Sequence, residues 1–327
     1  MSHKTITKIC LFVISLAVFC LNFSACAAAS SVPGGVLKNE NSGARENRSG
    51  LYEKPRVLAL IKSNEITESS GIAASKCQPD VFWTHNDSGG GAFLFAINAA
   101  GERLGTYKVE AAKNNDWEDI AAFRDASGEC FLYVGDIGNN ERLRSEMTIY
   151  KLKEPTVSAA DKSSTKKNPV ETEPAQAIKF EYPDIRHDAE TLLVHPQTGD
   201  IYVLSKSLSH SSGVYKLAAN YDLNETNRLE KVADLSVPAV PDGFLTGGDI
   251  APDGKRIIIC DYFNGYEIQL PREAKNFDEI WKQKPVVVDL GAREQGEAIG
   301  YAADGKSIFA TSERKNSPII QAKISDK

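Results

Sequence analysis

One unit recurs five times along this chain of 327 residues: an apolar strand, a turn, a second apolar strand, a polar cluster and a third strand. The first strands read SSGIAAS, WEDIAAF, AETLLVH, GGDIAPD and GEAIGYA, and they align on Ile72, Ile120, Leu192, Ile250 and Ile299. The separations are 48, 72, 58 and 49 residues, the longer two swollen by insertions, and this is blade spacing. HPQTGD, APDGKR and AADGKS after three of the first strands are tight-turn sequences. Outer strands are expected at LGTYKVE, AIKFEYP, KVADLSV and PVVVDLG, and the fifth repeat has none of its own. RVLALIK, residues 56–62, has no other partner and would complete the last blade. The expectation is an all-β protein: a single β-propeller of five blades, each of four antiparallel strands, closed by an N-terminal strand, with six blades the alternative. Twenty strands are then used and none is left over. Closure removes the exposed sheet edges on which strands aggregate.

Two polar insertions, 154–176 and 271–284, interrupt the third-to-outer connections and are expected to be solvated excursions, the second with a short helix. Three regions are expected: a signal peptide at 1–26, a flexible tether at 27–54 and the propeller at 55–327. The leader has Lys4 and Lys8 ahead of the apolar run ICLFVISLAVFCLNF, an export signal. Ala25-Cys26-Ala27 suits simple cleavage, Phe23-Ser24-Ala25-Cys26 resembles a lipobox, and an uncleaved anchor is a third alternative. Each places the protein outside the cytoplasm, periplasmic or secreted, with membrane attachment only through a lipid on Cys26 or an anchor. Loss of the two leader lysines takes the net charge from −6 to about −8, which argues against a nucleic-acid partner. In the folded part, Cys77 and Cys130 are free to bridge in an oxidising compartment or to be buried singly, and Cys260 in RIIICDY reads as strand core.

In an antiparallel blade the start of the first strand and the end of the second share a face, so motifs distant in sequence converge on the ring's mouth. First-strand starts bring Glu68, Asp116, Glu118, Asp119, Asp188, Glu190, Asp249 and Glu297, and second-strand ends bring His85, Asp87, Asp136, Lys206, Asp261, Glu313 and Arg314. Two residues before the aligned apolar position stand Ser70, Glu118, Glu190, Gly248 and Glu297, placing three glutamates at one level. Clustered carboxylates repel unless a cation or protons compensate, and oxygen donors suit Ca²⁺ before Mg²⁺. The candidate metal ligands are Glu118, Asp119, Asp188, Glu190, Asp249 and Glu297. The competing reading has these acids accepting backbone N–H groups from neighbouring blades. The candidate catalytic residues are His85, oriented by Asp87 or Glu118 as a general base, and Lys206 and Arg314, which would steady negative charge. Trp83 and Trp117 are expected to pack between blades.

FWTHNDSGGG, DWEDIA, YVGDIGNN and QGEAIGYAADGK resemble an uncharacterised family of secreted bacterial propellers over roughly residues 55–325. More distantly, the acid before an Ile-Ala strand, Glu118 and Glu297, resembles the strand openings of phytase-like, gluconolactonase and regucalcin propellers. That resemblance implies that the two acids line a pocket holding calcium or another divalent ion; Ser70 and Gly248 depart from the pattern. Two classes of function follow. One is a calcium-dependent hydrolase of an ester, lactone or phosphoester, a small-molecule substrate. The other is a non-catalytic surface propeller binding a protein or glycan, which exposed aromatics at the rim would favour. A glycosidase would need two mouth carboxylates at a defined separation, and nothing in the spacing selects a pair.

Overall fold

A computed structural model describes residues 51–325, all of which belong to five sheets arranged as propeller blades and their connections. The expected signal peptide, Cys26 and residues 27–50 of the expected tether lie outside the described residues. Blade 1 is Ser69–Ala74, Phe82–Asn86, Phe93–Ile97 and Arg103–Lys108. Blade 2 is Trp117–Arg124, Cys130–Asp136, Met147–Lys153 and Gln176–Glu181. Blade 3 is Ala189–Val194, Ile201–Ser205, Ser212–Leu217 and Glu230–Leu235. Blade 4 is Gly247–Ile250, Arg256–Cys260, Asn264–Gln269 and Val286–Asp289. Blade 5 is Gly296–Tyr301, Ser307–Ser312 and Pro318–Lys323, and its outer strand is Arg56–Leu60, paired antiparallel with Pro318–Lys323.

The apolar alternation that defines each strand is consumed between blades. Five buried clusters fill the five interfaces. Trp83 and Trp117 are both sealed in the cluster between blades 1 and 2. The turn glycines Gly254 and Gly305 take positive φ, as the Asp-Gly turns require.

The structure departs from the sequence reading in three places. Two extra strands of two residues, Val170–Glu171 and Asn227–Arg228, pair parallel with the outer edges of blades 1 and 2, so those sheets have five strands and are not purely antiparallel. Neither insertion is a solvated excursion. The first crosses the outer edge of blade 1 as a strap: Glu154 accepts from Trp83 Nε1 at 2.9 Å, Val157 N donates to Gln78 Oε1 at 2.7 Å, and Lys166 N donates to Glu65 Oε1 at 2.7 Å. The second carries a 3-10 helix, Phe277–Lys282, that buries Ile280 and Trp281 against blades 3 and 4. Lastly, the propeller's packing starts inside the expected tether, where Tyr52 is buried and its hydroxyl donates to Glu267 Oε1 at 2.6 Å.

Candidate functional site at the mouth

The ring of glutamates rests on backbone irregularities. In four blades the ladder between the first and second strands slips where the residue two before the aligned apolar position sits. The slips bracket Ser70, Glu118, Glu190 and Glu297. Blade 4, with Gly248 at that place, keeps an unbroken ladder. A bulged residue is released from the ladder and its side chain is re-aimed, a device found at the rims of barrels and next to active sites. Here it turns glutamates toward the mouth from strands whose side chains are otherwise buried among apolar neighbours.

YVGDIGNN holds two further acids in place. Asp136 pairs with Arg144 at 2.8 Å and accepts the backbone N–H of Asp116 at 3.2 Å and the side-chain amide of Asn115 at 2.7 Å. Three residues on, Asn139 N donates to Asp188 Oδ1 at 2.8 Å, and Asn139 Nδ2 to His187 O at 3.1 Å. Between them Gly138 is needed for space: a Cβ there would stand 2.1 Å from Glu118 Oε1 and 2.4 Å from Asp116 Oδ2.

The outcome is a concentrated negative field. Asp87, Asp116 and Glu118 each offer a carboxylate oxygen, and the three lie within 4.8 Å of one another. Among the described residues no hydrogen-bond donor reaches the carboxylates of Asp116 or Glu118. Burial, reinforced by the charges of Glu190, Asp87, Asp116 and Asp188, raises Glu118 well above the ordinary carboxylate range. Asp116 is raised to about 6 by burial and then by Asp87 and Asp188. Burial also raises Asp87, and it raises Glu313 with Asp87 and Glu68 adding repulsion. Glu297 is raised to about 7 by burial, although Lys206 and the Gln295 amide pull it down.

Lys206 is a largely buried cation within this field. Its ammonium contacts Glu190 Oε1 and lies over the Phe244 ring at 4.4 Å and the Tyr262 ring at 5.4 Å. Burial disfavours its charge, yet Glu190 and Glu297 outweigh that and raise its pKa. Burial raises Glu190 against the pull of Lys206, and its Oε2 is buried without a partner.

Four sequence candidates stand apart from this cluster. Asp119 is sealed and accepts the N–H groups of Ile120 at 2.8 Å, Leu192 at 2.9 Å and Gly248 at 3.2 Å, so its lone pairs are used in joining blades 2, 3 and 4. Asp249 does the same for Ile250 and Tyr301, each near 2.9 Å, with Lys76 at 4.0 Å. Both act as backbone acceptors, as the competing reading had it. His85 is 0% exposed: its Nδ1 contacts Asn86 O at 3.1 Å, its Nε2 has no partner, and its ring meets Trp117 edge-on. Burial pushes it down to about 4, and neither Asp87 nor Glu118 orients it, so it stands behind the site as a neutral packing residue. Arg314 pairs with Glu294 at 2.7 Å in open solvent, and of the mouth acids it is Glu313 whose carboxyl its charge pulls down. Three participants are not singled out by the sequence. Asp116 was read only as one mouth acid among many, and Phe244 and Tyr262 gave no signal beyond being aromatic.

No protein-family model matches the sequence, and no curated protein matches it either. Among solved structures, a gluconolactonase from Xanthomonas campestris is similar, at 10% identity and a TM-score of 0.45, over 84% of this chain and 95% of that one. A chain of the nidogen/laminin complex is similar at 13% identity and a TM-score of 0.41, over 75% of this chain and 72% of its own length.

Proposed function

We propose that this propeller is an exported, divalent-cation-dependent hydrolase of an ester, lactone or phosphoester, with its reaction centre in the acidic mouth. The convergence of Asp87, Asp116 and Glu118 within 4.8 Å carries the reading, because three half-buried or buried carboxylates so placed favour a cation over three protons near neutral pH. The donor set is all oxygen, which fits Ca²⁺ before Mg²⁺, and Gly138 leaves the acids room to close on an ion. When bound there, the ion would polarise the carbonyl or phosphoryl oxygen of the substrate.

The chain's own groups supply the rest. Glu297, raised to about 7, is matched to accept a proton from an attacking water at neutral pH and to return it to the departing alkoxide. Water adds across the scissile bond, so the acid and the alcohol are the only products and no further reactant is required. Lys206, locked between Glu190 and the two rings, offers a fixed positive charge to the developing oxyanion. The Cys77–Cys130 bridge, joining blades 1 and 2, supports an oxidising compartment, in keeping with the export-type leader.

Calorimetric titration of Ca²⁺ into chelator-stripped protein, with thermal melting alongside, tests the reading. Wild type is expected to bind one ion at the mouth and to melt higher with it. Glu118→Gln is expected to weaken binding by about 10-fold or more while folding normally, since its carboxylate receives no hydrogen bond that the fold needs. Unchanged binding in Glu118→Gln would remove the site. A second reading, a surface propeller that docks a partner, draws on the exposed apolar side chains Leu208, Val240 and Phe263 at the rim. Cation binding without turnover of any ester, lactone or phosphoester would favour it.

A further inference from the structure

Of the eleven large apolar side chains exposed among the described residues, three, Leu208, Val240 and Phe263, gather at one sector of the mouth. With Pro241, Phe244 and Tyr262 they line a cleft of about 220 Å³. Its walls are three mouth-face loops: those after Ile201–Ser205 and after Arg256–Cys260, and the one leading into Gly247–Ile250. The loops are tied together. Ser207 N donates to Gly243 O at 2.8 Å, and a Cβ at Gly243 would lie 2.2 Å from His210 O, so the approach depends on that glycine. Asp261 Oδ1 fixes the third loop by accepting from Phe263 N at 2.7 Å and Asn264 N at 2.6 Å. The cleft is therefore built in advance of any ligand, and two of its rings, Phe244 and Tyr262, lie beneath the Lys206 ammonium.

Phe244 and Tyr262 belong to both environments. They pack edge to face at 4.8 Å, they line the cleft, and Lys206 lies over both rings. A molecule in the cleft is thus one aromatic ring away from the ammonium that contacts Glu190. We propose that the cleft is a subsite for the apolar tail of the substrate, so that the substrates of this protein are esters or lactones bearing a short alkyl chain whose polar head is presented to Lys206 and the mouth acids. The proposal rests on the hydrolytic reading of that mouth. A protein partner is a poorer occupant, since a stable interface buries about 800 Å² on each side and this patch amounts to three exposed side chains. Scattered single apolar residues are ordinary on a surface, but a cluster seated on a polar centre marks a ligand site.

The test uses calcium-loaded protein and γ-lactones running from γ-valerolactone to γ-nonalactone, read in two ways: kcat/KM for ring opening, and saturation-transfer NMR for binding. In wild type both readouts are expected to climb with tail length, approaching about threefold per methylene while the chain remains inside the cleft. Phe263→Ser and Leu208→Ser are expected to flatten that slope, whereas Val57→Ser, an equally exposed apolar residue on the outer strand of blade 5, leaves it intact. Tail-dependent binding without ring opening would keep the subsite and overturn the lactone form of the hydrolytic reading. Ring opening indifferent to tail length, or a slope unaltered by both cleft variants, overturns the subsite and spares that reading. Self-association of wild type that Phe263→Ser abolishes, with a flat tail slope, would likewise overturn it in favour of a second copy of the chain.

Discussion

Neighbouring acids at positions 118 and 119 do opposite work. Glu118 faces other carboxylates, while the oxygens of Asp119 face N–H groups of three strands. Asp119→Ala is accordingly expected to cost about 2–5 kcal/mol in a denaturant melt, because two cross-blade N–H groups lose their acceptor, with Ca²⁺ affinity of the folded fraction little changed. Gly138→Ala should do the reverse, weakening Ca²⁺ binding by about 10- to 100-fold through displacement of Asp116 and Glu118. Equal losses in the two variants would contradict this division. The pH dependence follows from the same groups. Asp116 and Glu297 are raised from 3.8 and 4.5 to about 6 and about 7, so the folded state holds these protons more tightly than the unfolded chain. Their contribution to stability is whole below about pH 4 and is lost as pH rises to about 7. A cation that binds the deprotonated acids should then raise the melting temperature little at the low end of that window and most at the high end; a calcium increment independent of pH would count against the assignment. None of this division was legible in the sequence, because whether an acid meets N–H groups or other acids is decided by strands far away in the chain.

At the scale of elements, the strands were legible and the irregularities were not. Alternation, turn residues and a repeat of about 50 residues are local signals, and they located all twenty principal strands. A bulge leaves no such trace: SSGIA, WEDIA and AETLL read as continuous strands, and only register across the pair shows Ser70, Glu118 and Glu190 released from the ladder. The strap at 154–176 was misread for a different reason. It is polar because it ties itself to blade 1 largely through side-chain and backbone hydrogen bonds, with only Val157, Val170 and Ala175 packing on the apolar cluster between blades 1 and 2. Below that strap, the Cys77–Cys130 bridge closes a separation of 53 residues between the first turn of blade 1 and the second strand of blade 2. The chain-entropy argument gives such a loop up to about 4 kcal/mol. The double variant Cys77→Ser, Cys130→Ser should therefore melt well below wild type. The bridge lies on the face away from the mouth, so Ca²⁺ affinity measured below the new transition should be retained. Loss of both together would mean that the bridge shapes the site as well as the fold.

For the molecule as a whole, the ring must close before any of its faces is complete. Polar bonds near the axis run between blades: Ser70 Oγ donates to Glu118 O, Asp119 spans blades 2 to 4, Asp249 accepts from Tyr301 N, and Ser69 meets Thr311 across the seam. The seam between blades 5 and 1 is closed from outside by Arg56–Leu60, whose ladder to Pro318–Lys323 continues in Glu53 N to Lys323 O at 2.8 Å and Ile61 N to Ser317 O at 2.9 Å. Ile61 is buried in the cluster between those blades, and Tyr52 bonds Glu267 of blade 4. The N-terminal stretch thus contributes a strand, a core residue and a polar anchor to three separate blades. Removing residues 1–61 would leave Pro318–Lys323 as a bare edge and open the cluster that Ile61 fills, at a cost that includes about 2–5 kcal/mol for Ile61 alone. An unpaired edge is also a template for another chain. The truncated protein is expected to melt at least about 10 °C lower than wild type and to elute as oligomers, whereas removal of residues 1–50 should leave both properties unchanged. A monomeric, equally stable protein lacking residues 1–61 would show that blade 5 stands on three strands and that the closure is not what holds the ring.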